Sequence, residues 1–274
     1  MKILLPYLRL IHPFTSLAVT IVTVIIAMSS DPPFDLHRVF LVGFVMLTVQ
    51  FSFGVSNDVL DQRYDSEAKP WKPIPSNKVR KRGALIIFAT LVACSFALCS
   101  VLGWIPLGIM LFGFCCGMAY NLGLKRTLLS WLPLSLAVPT ILVWVRAINE
   151  KTPNVLFWSY PLGLLLGPAL NLANQLAGAE EASYSGERSL IHFLGVVKGR
   201  RVAVGLFALV TLFMPIVVRI HDLQVEVATV GSVATFLFIA IFAVLAEFDH
   251  RLALWPLAIL IASVQGVFFV LAIQ

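Results

Sequence analysis

The stretch Ser56-Asn57-Asp58-Val59-Leu60-Asp61-Gln62-Arg63-Tyr64-Asp65-Ser66-Glu67 follows a long apolar run and leads into Lys69-Pro70-Trp71-Lys72-Pro73-Ile74-Pro75. Asn57, Asp61 and Asp65 recur at every fourth position, so on an α-helix they form one stripe, with Asp58 beside it. Four oxygen-bearing side chains at the mouth of an apolar segment suit Mg²⁺ that also holds a phosphate. The reason is that Mg²⁺ takes carboxylates from the protein and completes its coordination with water and phosphate oxygens. The alternative is a solvated helix end without a ligand.

The composition places the chain among polytopic membrane proteins. Of its 274 residues, 59% are hydrophobic and only 12% are charged, and several apolar runs reach the roughly 20 residues that cross a bilayer. The formal charge of +6 does not indicate nucleic-acid binding, because Lys and Arg fall in short loops between the apolar runs. We predict a single all-α domain over residues 1–274. Its nine predicted transmembrane helices lie near residues 12–29, 38–60, 83–102, 104–122, 128–148, 156–179, 200–219, 227–246 and 252–273.

The basic residues predict how the chain is oriented. If the N-terminus is cytoplasmic, most Lys and Arg lie in cytoplasmic loops, and only Arg38, Arg146, Lys151 and Arg219 lie on the other side. Basic loops remain in the cytoplasm during membrane insertion. We therefore predict a multi-pass protein of a bacterial-type cell membrane, with a cytoplasmic N-terminus and with the acidic stripe facing the cytoplasm.

The sixth predicted span ends in a segment that resembles the end of the second, Asn171-Leu172-Ala173-Asn174-Gln175-Leu176-Ala177-Gly178-Ala179-Glu180-Glu181-Ala182. Superposing the two segments pairs Asn174 with Asn57, Gly178 with Asp61 and Ala182 with Asp65. They resemble two copies of one helix end, with the carboxylates kept only in the first. Parallel repeats of this kind can enclose a central cavity.

One acid of the second segment could replace the missing carboxylates. On a continuing helix, Glu181 lies seven residues from Asn174 and returns to within roughly 20° of the same face, whereas Glu180 lies about 120° away. We therefore predict Glu181 as a metal ligand. The alternative is an interfacial acid paired with a loop Lys or Arg.

Basic residues surround the acidic stripe. They are Arg63, Lys69, Lys72, Lys78, Arg80, Lys81 and Arg82, with Lys125 and Arg126 after the fourth span. A diphosphate needs both a metal ion and such donors to enter a low-dielectric site. Lys72 and Lys125 stand out because each ends an aromatic-containing or Pro-stiffened turn beside the expected site. Membrane topology alone would also account for any one of these residues.

Together these motifs resemble the UbiA superfamily of intramembrane prenyltransferases. The matching segments are Asn57-Asp58-x-x-Asp61-x-x-x-Asp65, Lys69-Pro70-x-Lys72-Pro73-Ile74-Pro75-Ser76, Tyr120 with Lys125-Arg126, and Gly186-Glu187-Arg188-Ser189-Leu190 ending in Leu194-Gly195. The resemblance implies a helical bundle whose central cavity opens to the membrane and is capped by cytoplasmic loops. It also implies that a polyprenyl diphosphate is bound through Mg²⁺ and ionised, and that its prenyl group passes to a lipophilic acceptor, which we expect to be aromatic.

The resemblance assigns roles to individual residues. With Glu181 added from its helical position, the metal ligands are Asn57, Asp58, Asp61, Asp65 and Glu181. The diphosphate ligands are Arg63, Lys72, Lys125, Arg126 and Asn174. The catalytic residues are Asp61, Asp65, Lys125 and Tyr120. The second Asp-x-x-x-Asp pair of the family does not carry over, because Gly178 and Ala182 stand at its positions.

Three kinds of function fit these residues. The first is a prenyltransferase, and the second is a cyclase or lyase of the same fold that ionises the same class of substrate. The third is a non-catalytic protein that binds a prenyl lipid, or a transporter. Transport is disfavoured because the acids lie at span ends rather than at mid-span. We expect His12 and His192 to be satisfied interfacial histidines, because neither has a second metal-ligand partner at useful spacing.

Overall fold

The computed structural model describes residues 4–29, 34–148, 157–178, 188–248 and 250–273, and within these ranges all regular structure is helical. The α-helices are α1 Leu4–Leu10, α2 Pro13–Met28, α3 Leu36–Leu60, α4 Gln62–Ala68, α5 Lys81–Ser100, α6 Trp104–Leu122, α7 Leu132–Ile148, α8 Ser159–Ala177, α9 Leu190–Leu194, α10 Val196–Ile220, α11 Val225–Glu247 and α12 Arg251–Ala272. A 3₁₀ helix, η1, spans Leu124–Arg126. The prediction of an all-α fold is confirmed.

The long helices close into a ring. α2 packs on α3, α3 on α5, and then α5 to α8 pack in chain order. α8 packs on α10, α10 on α11, α11 on α12, and α12 returns to pack against α2. Helices joined by short connections are therefore neighbours in space, and the first and last long helices of the described ranges seal the ring.

The helices match the predicted spans in position. Six of those described, α3, α5, α6, α10, α11 and α12, are long and apolar enough to cross a membrane, and the bent pair α1 and α2 would be a seventh. The count of nine spans and the orientation of the N-terminus remain predictions.

Both the inside and the outside of the ring are apolar. Trp144, Phe207 and Phe242 are almost completely buried, whereas Phe40 and Trp104 on the outside are 74% and 85% exposed. An apolar outer surface this extended is unfavourable in water, whereas the helical backbone satisfies its own hydrogen bonds and is stable in lipid. The protein is therefore an integral, multi-pass membrane protein.

Two apolar pockets lie among the helices. One lies between α2, α7, α8, α10 and α12. The other is a groove along α2, α11 and α12 that opens to the outside of the ring. Neither lining includes the acidic stripe, so these pockets suit hydrocarbon, and the charged chemistry lies at the end of the bundle.

The loop between α4 and α5 folds over that end. Ile74 and Val79 are each 2% exposed and pack with Val55 and Val59 of α3. Burial of these apolar side chains anchors the Pro-rich loop and brings Lys72 back over the last turn of α3.

Candidate active site

The acidic stripe crosses a bend in the chain. α3 ends at Leu60 and α4 begins at Gln62, so Asp61 is the junction between them. The amide of Asp61 donates to the carbonyl of Asn57 at 2.9 Å, and the amide of Asp65 donates to the carbonyl of Asp61 at 2.7 Å. The predicted single helix is thus two helices, but the helical hydrogen-bond spacing continues through the junction. The stripe keeps its alignment for that reason.

Lys125 and Arg126 neutralise the middle of the stripe. The Lys125 ammonium donates to Asn57 Oδ1 at 2.7 Å and also to Asp61 Oδ2, while Arg126 Nη2 donates to Asp61 Oδ1 at 2.6 Å. Gly123, just after α6, has φ 147°, a conformation that side chains disfavour. This turn directs η1, and with it both cations, toward α3.

Lys72 neutralises the two ends of the stripe. Its ammonium donates to Asp58 Oδ1 at 2.9 Å and to Asp65 Oδ2 at 2.7 Å. Asp58 and Asp65 are each 1% exposed, so both carboxylates depend on this shared cation. The four oxygen side chains thus form two pairs, each joined by a lysine.

His12 is a member of the site that sequence analysis missed. Its Nε2 lies 3.0 Å from Asp58 Oδ1, on the same oxygen that Lys72 contacts. The two residues are 46 positions apart, and no spacing rule connects them. The sequence analysis expected an interfacial histidine and did not predict this contact with Asp58.

Burial and pairing shift the pKa values of the charged groups outside the spans. Burial raises the pKa of Asp65, although Lys72 opposes this effect. Burial lowers the pKa of Lys125 against the opposing influence of Asp61. Burial also acts to lower the pKa of Lys72, but the negative charges of Asp58 and Asp65 outweigh the effect of burial, so the pKa of Lys72 is raised. Lys72 therefore holds its proton more firmly than Lys125 does.

The end of α8 occupies the equivalent position in the second half of the ring. Asn174 lies three residues before the last residue of α8, as Asn57 does in α3, and Gly178 follows α8 as Asp61 follows α3. Asn174 Nδ2 donates to the Tyr120 hydroxyl at 3.1 Å. Tyr120 lies near the end of α6, and Lys125 follows it in η1. This region therefore contacts both the end of α3, through Lys125, and the end of α8, through Tyr120.

Neutral hydrogen bonds stabilise the rest of this second end. Ser130 is fully buried; its hydroxyl donates to Asn171 Oδ1 at 2.8 Å and accepts from Gln175 Nε2 at 3.1 Å. The side-chain oxygen of Gln175, Oε1, in turn accepts from the backbone amide of Ile191 at 2.9 Å. Amides and hydroxyls here take the place that carboxylates and cations have at the end of α3.

Two further predicted ligands are not seen in these contacts, one because its side chain lies elsewhere and one because it is outside the described residues. Arg63 is exposed and makes no hydrogen bond or ion pair with other described residues. Glu181, like Ala182, lies outside the described residues, so its role as a metal ligand remains a prediction.

The donor set of the stripe fits Mg²⁺ in its chemistry, since all its donors are oxygens. Each lysine ammonium lies between two of these oxygens, so the geometry already favours positive charge at two positions. Among the described residues there is no group of three or more His, Cys, Asp or Glu that could hold a metal by itself. The fit therefore depends on water and phosphate oxygens to complete the coordination.

Known proteins with similar sequences are prenyltransferases. A 4-hydroxybenzoate octaprenyltransferase of Vibrio atlanticus (strain LGP32) is 29% identical over 211 residues, which cover 74% of this chain and 71% of the relative. A digeranylgeranylglyceryl phosphate synthase of Methanobrevibacter smithii is 26% identical over 251 residues, which cover 85% of each chain.

Solved structures share the fold. A UbiA homolog from Aeropyrum pernix K1 superposes with a TM-score of 0.75 at 18% identity, over 95% of this chain and 97% of that one. A UbiA homolog from Archaeoglobus fulgidus bound to GPP and Mg²⁺ superposes with a TM-score of 0.74 at 15% identity, over 98% and 100% of the two chains. The sequence profile of the UbiA prenyltransferase family matches residues 16–272. With this match over almost its whole length, the chain belongs to the UbiA prenyltransferase family.

Proposed function

We propose that the protein transfers a prenyl group from a polyprenyl diphosphate to a lipophilic, aromatic acceptor within the membrane, in a reaction that depends on Mg²⁺. The observation that carries the proposal is the pairing at the end of α3. There Lys72 and Lys125 each join two oxygen side chains of the stripe. Carboxylates for a metal and cations for a diphosphate are thus held within hydrogen-bond distance of one another. A homologous structure that holds GPP with Mg²⁺ supports the same chemistry.

Each group has a distinct task in this proposal. Asn57, Asp58, Asp61 and Asp65 hold Mg²⁺, which when bound acts as a Lewis acid toward the diphosphate. Lys72, Lys125 and Arg126 turn from the carboxylates to the diphosphate oxygens and stabilise the charge that develops there. Tyr120 and Asn174 line the second side of the site.

The reaction breaks the allylic C–O bond, and its electron pair leaves with the diphosphate. A carbon or oxygen atom of the acceptor then bonds to the allylic carbon, and the acceptor loses a proton. The apolar interior of the ring accommodates the prenyl chain and keeps water away from the allylic cation. In the orientation that we propose, nine spans form a single domain over residues 1–274 in a bacterial-type cell membrane, and the site faces the cytoplasm.

A non-catalytic prenyl-diphosphate binding protein is a second candidate. The observation that favours it is the end of α8, where neutral hydrogen bonds replace the carboxylates of the first end. With carboxylates at only one of the two ends among the described residues, the protein would hold a diphosphate without ionising it.

Binding of geranylgeranyl diphosphate to the detergent-purified protein, with Mg²⁺ or with a chelator, tests the shared first step. We expect binding to require Mg²⁺ and to weaken by at least about 100-fold in Asp61→Asn. Asp35→Asn is the matched control, because Asp35 is an exposed N-cap of α3 outside the site and Asn retains the capping oxygen. Binding that ignores Mg²⁺ and Asp61 would contradict the proposal.

An acceptor assay separates the two candidates. The bound protein is incubated with lipophilic phenols, including the 4-hydroxybenzoate named for one relative, and released diphosphate and prenylated product are measured together. Product and diphosphate in equal amounts support the transferase. Tight binding without release for every acceptor supports the binding protein.

A further inference from the structure

We propose that His12 is a positioning residue of this site, which keeps the Asp58 carboxylate in place when Lys72 moves to the diphosphate. The proposal rests on the proposed function, because it assigns His12 a role toward a metal ligand. His12 is not part of the acidic stripe or of the basic loops, and the packing of α1 and α2 on α3 brings it to Asp58.

The backbone at His12 is held in an uncommon conformation. His12 lies between α1 and α2, which are bent by 56°, and it has φ 48° and ψ 61°. Residues other than glycine rarely adopt this left-handed conformation, and where they do, the surrounding structure imposes it. Pro13 begins α2 immediately afterwards, so the backbone of His12 is constrained on both sides.

Gly54 allows this junction to lie directly on α3. A Cβ atom at Gly54 would meet the Ile11 carbonyl carbon at 2.8 Å and its oxygen at 2.9 Å, and such distances are too short for any side chain. Gly54 and Asp58 are four residues apart and so lie on the same face of α3. The close contact at Gly54 therefore places the His12 ring beside Asp58.

The hydrogen bond has a defined direction. An ionised carboxylate only accepts, so the proton lies on His12 Nε2. Asp58 Oδ1 accepts from both His12 and Lys72, and Lys72 also contacts Asp65. When Lys72 turns to a diphosphate, the bond from His12 is the one of these two that stays with Asp58. Hydrogen-bond partners of metal ligands orient the ligand and sustain its affinity for the metal.

Mn²⁺ binding followed by electron paramagnetic resonance, in the presence of geranylgeranyl diphosphate, tests this role without relying on turnover. We expect His12→Ala to weaken Mn²⁺ binding by roughly 10- to 100-fold, and His12→Gln, whose amide can donate to Asp58, to recover most of the loss. Both variants place a side chain on the same left-handed backbone, so their difference reports the hydrogen bond. His192→Ala is the control, because His192 contacts Ser189 and is bonded to none of the stripe residues; we expect its Mn²⁺ affinity to equal that of wild type.

Three results would overturn the proposal. Wild-type affinity in His12→Ala would remove any role for the residue. An equal loss in His12→Ala and His12→Gln would show that the ring, and not the hydrogen bond, matters. If the wild type binds no Mn²⁺ with the diphosphate and Asp61→Asn behaves identically, the proposed function fails as well, whereas metal binding that needs Asp61 but not His12 overturns the role of His12 alone.

Discussion

The ends of α3 and α8 occupy equivalent positions in the two halves of the ring but use opposite chemistry. At the end of α3, buried carboxylates are paired with Lys72, Lys125 and Arg126. At the end of α8, Asn174 and its neighbours are satisfied by hydroxyls and a backbone amide. The polar side chains described at both ends make hydrogen bonds, and the two ends differ in charge.

The difference follows from the cost of burial. A buried carboxylate needs a cation beside it, whereas a buried amide needs only a hydrogen-bond partner. At the end of α3, a metal ion can therefore replace the cations beside the carboxylates, and a diphosphate can replace the carboxylates beside the cations. The described part of the second end can orient a ligand but offers it no charge.

Removal of the Lys125 ammonium should have the largest effect. In Lys125→Met, Asp61 loses one of its two cations and Asn57 loses its donor, so we expect a loss of stability of about 3 kcal/mol, the lower range for breaking a buried ion pair. Geranylgeranyl diphosphate binding should weaken by roughly 100-fold, as for a lost electrostatic donor. Thermal unfolding in detergent and ligand binding measure the two effects.

The matched change at the second end is Tyr120→Phe, which removes the hydroxyl that Asn174 contacts. We expect it to cost only about 1 kcal/mol, because both partners are neutral. The double variant Asp61→Asn/Lys125→Met should regain stability but not ligand binding. Equal costs for Lys125→Met and Tyr120→Phe would mean that the two ends do not differ in electrostatic importance.

The pH below which metal-dependent binding is lost, its acid limit, should depend on the ion pair between Lys72 and Asp65. Burial raises the pKa of Asp65, and Lys72 counteracts this rise, so Lys72→Met should raise that pKa further. Only the ionised carboxylate binds a cation, so binding is lost as the pH falls through the pKa of Asp65. The loss should occur at higher pH in Lys72→Met than in wild type.

A pH series of Mg²⁺-dependent binding of the prenyl diphosphate measures this shift. Lys78→Met serves as the control, because Lys78 is an exposed lysine of the same loop that makes no ion pair with other described residues. An acid limit that is the same in Lys72→Met, Lys78→Met and wild type would show that Asp65 is not a ligand of the metal ion.

A carboxylate returned to the second end should have the smallest effect. Gly178 follows α8 with φ −108° and ψ 15°, a conformation that other residues adopt without strain. We expect Gly178→Asp to tighten Mg²⁺ binding by about fivefold, equivalent to roughly 1 kcal/mol. Titration of Mg²⁺ at fixed prenyl diphosphate measures it, with the neutral Gly178→Asn as control. Identical affinities for the Asp and Asn variants would show that charge at this position does not reach the metal.

Features that depend on neighbouring residues were predicted well. Apolar runs predicted the positions of the long helices. The spacing of Asn57, Asp61 and Asp65 at every fourth position predicted the stripe, because a helix brings residues about one turn apart to the same face. The bend at Asp61 was not predicted, since the hydrogen-bond spacing that sequence periodicity reflects continues through it. Arg63 is exposed and is not in contact with the carboxylates, so its role as a diphosphate ligand stays a prediction.

Sequence alone determined the membrane class, the family and the identity of the charged residues, because these depend on composition and on short, local patterns. Tertiary structure alone decided the partners: Lys72 joins Asp58 to Asp65, Lys125 joins Asn57 to Asp61, and His12 shares an oxygen of Asp58. These partners come from different helices and loops, whose approach is set by apolar packing and by the absence of a side chain at Gly54. A buried charge binds the cation that packing brings within reach, and the sequence does not state which cation that is.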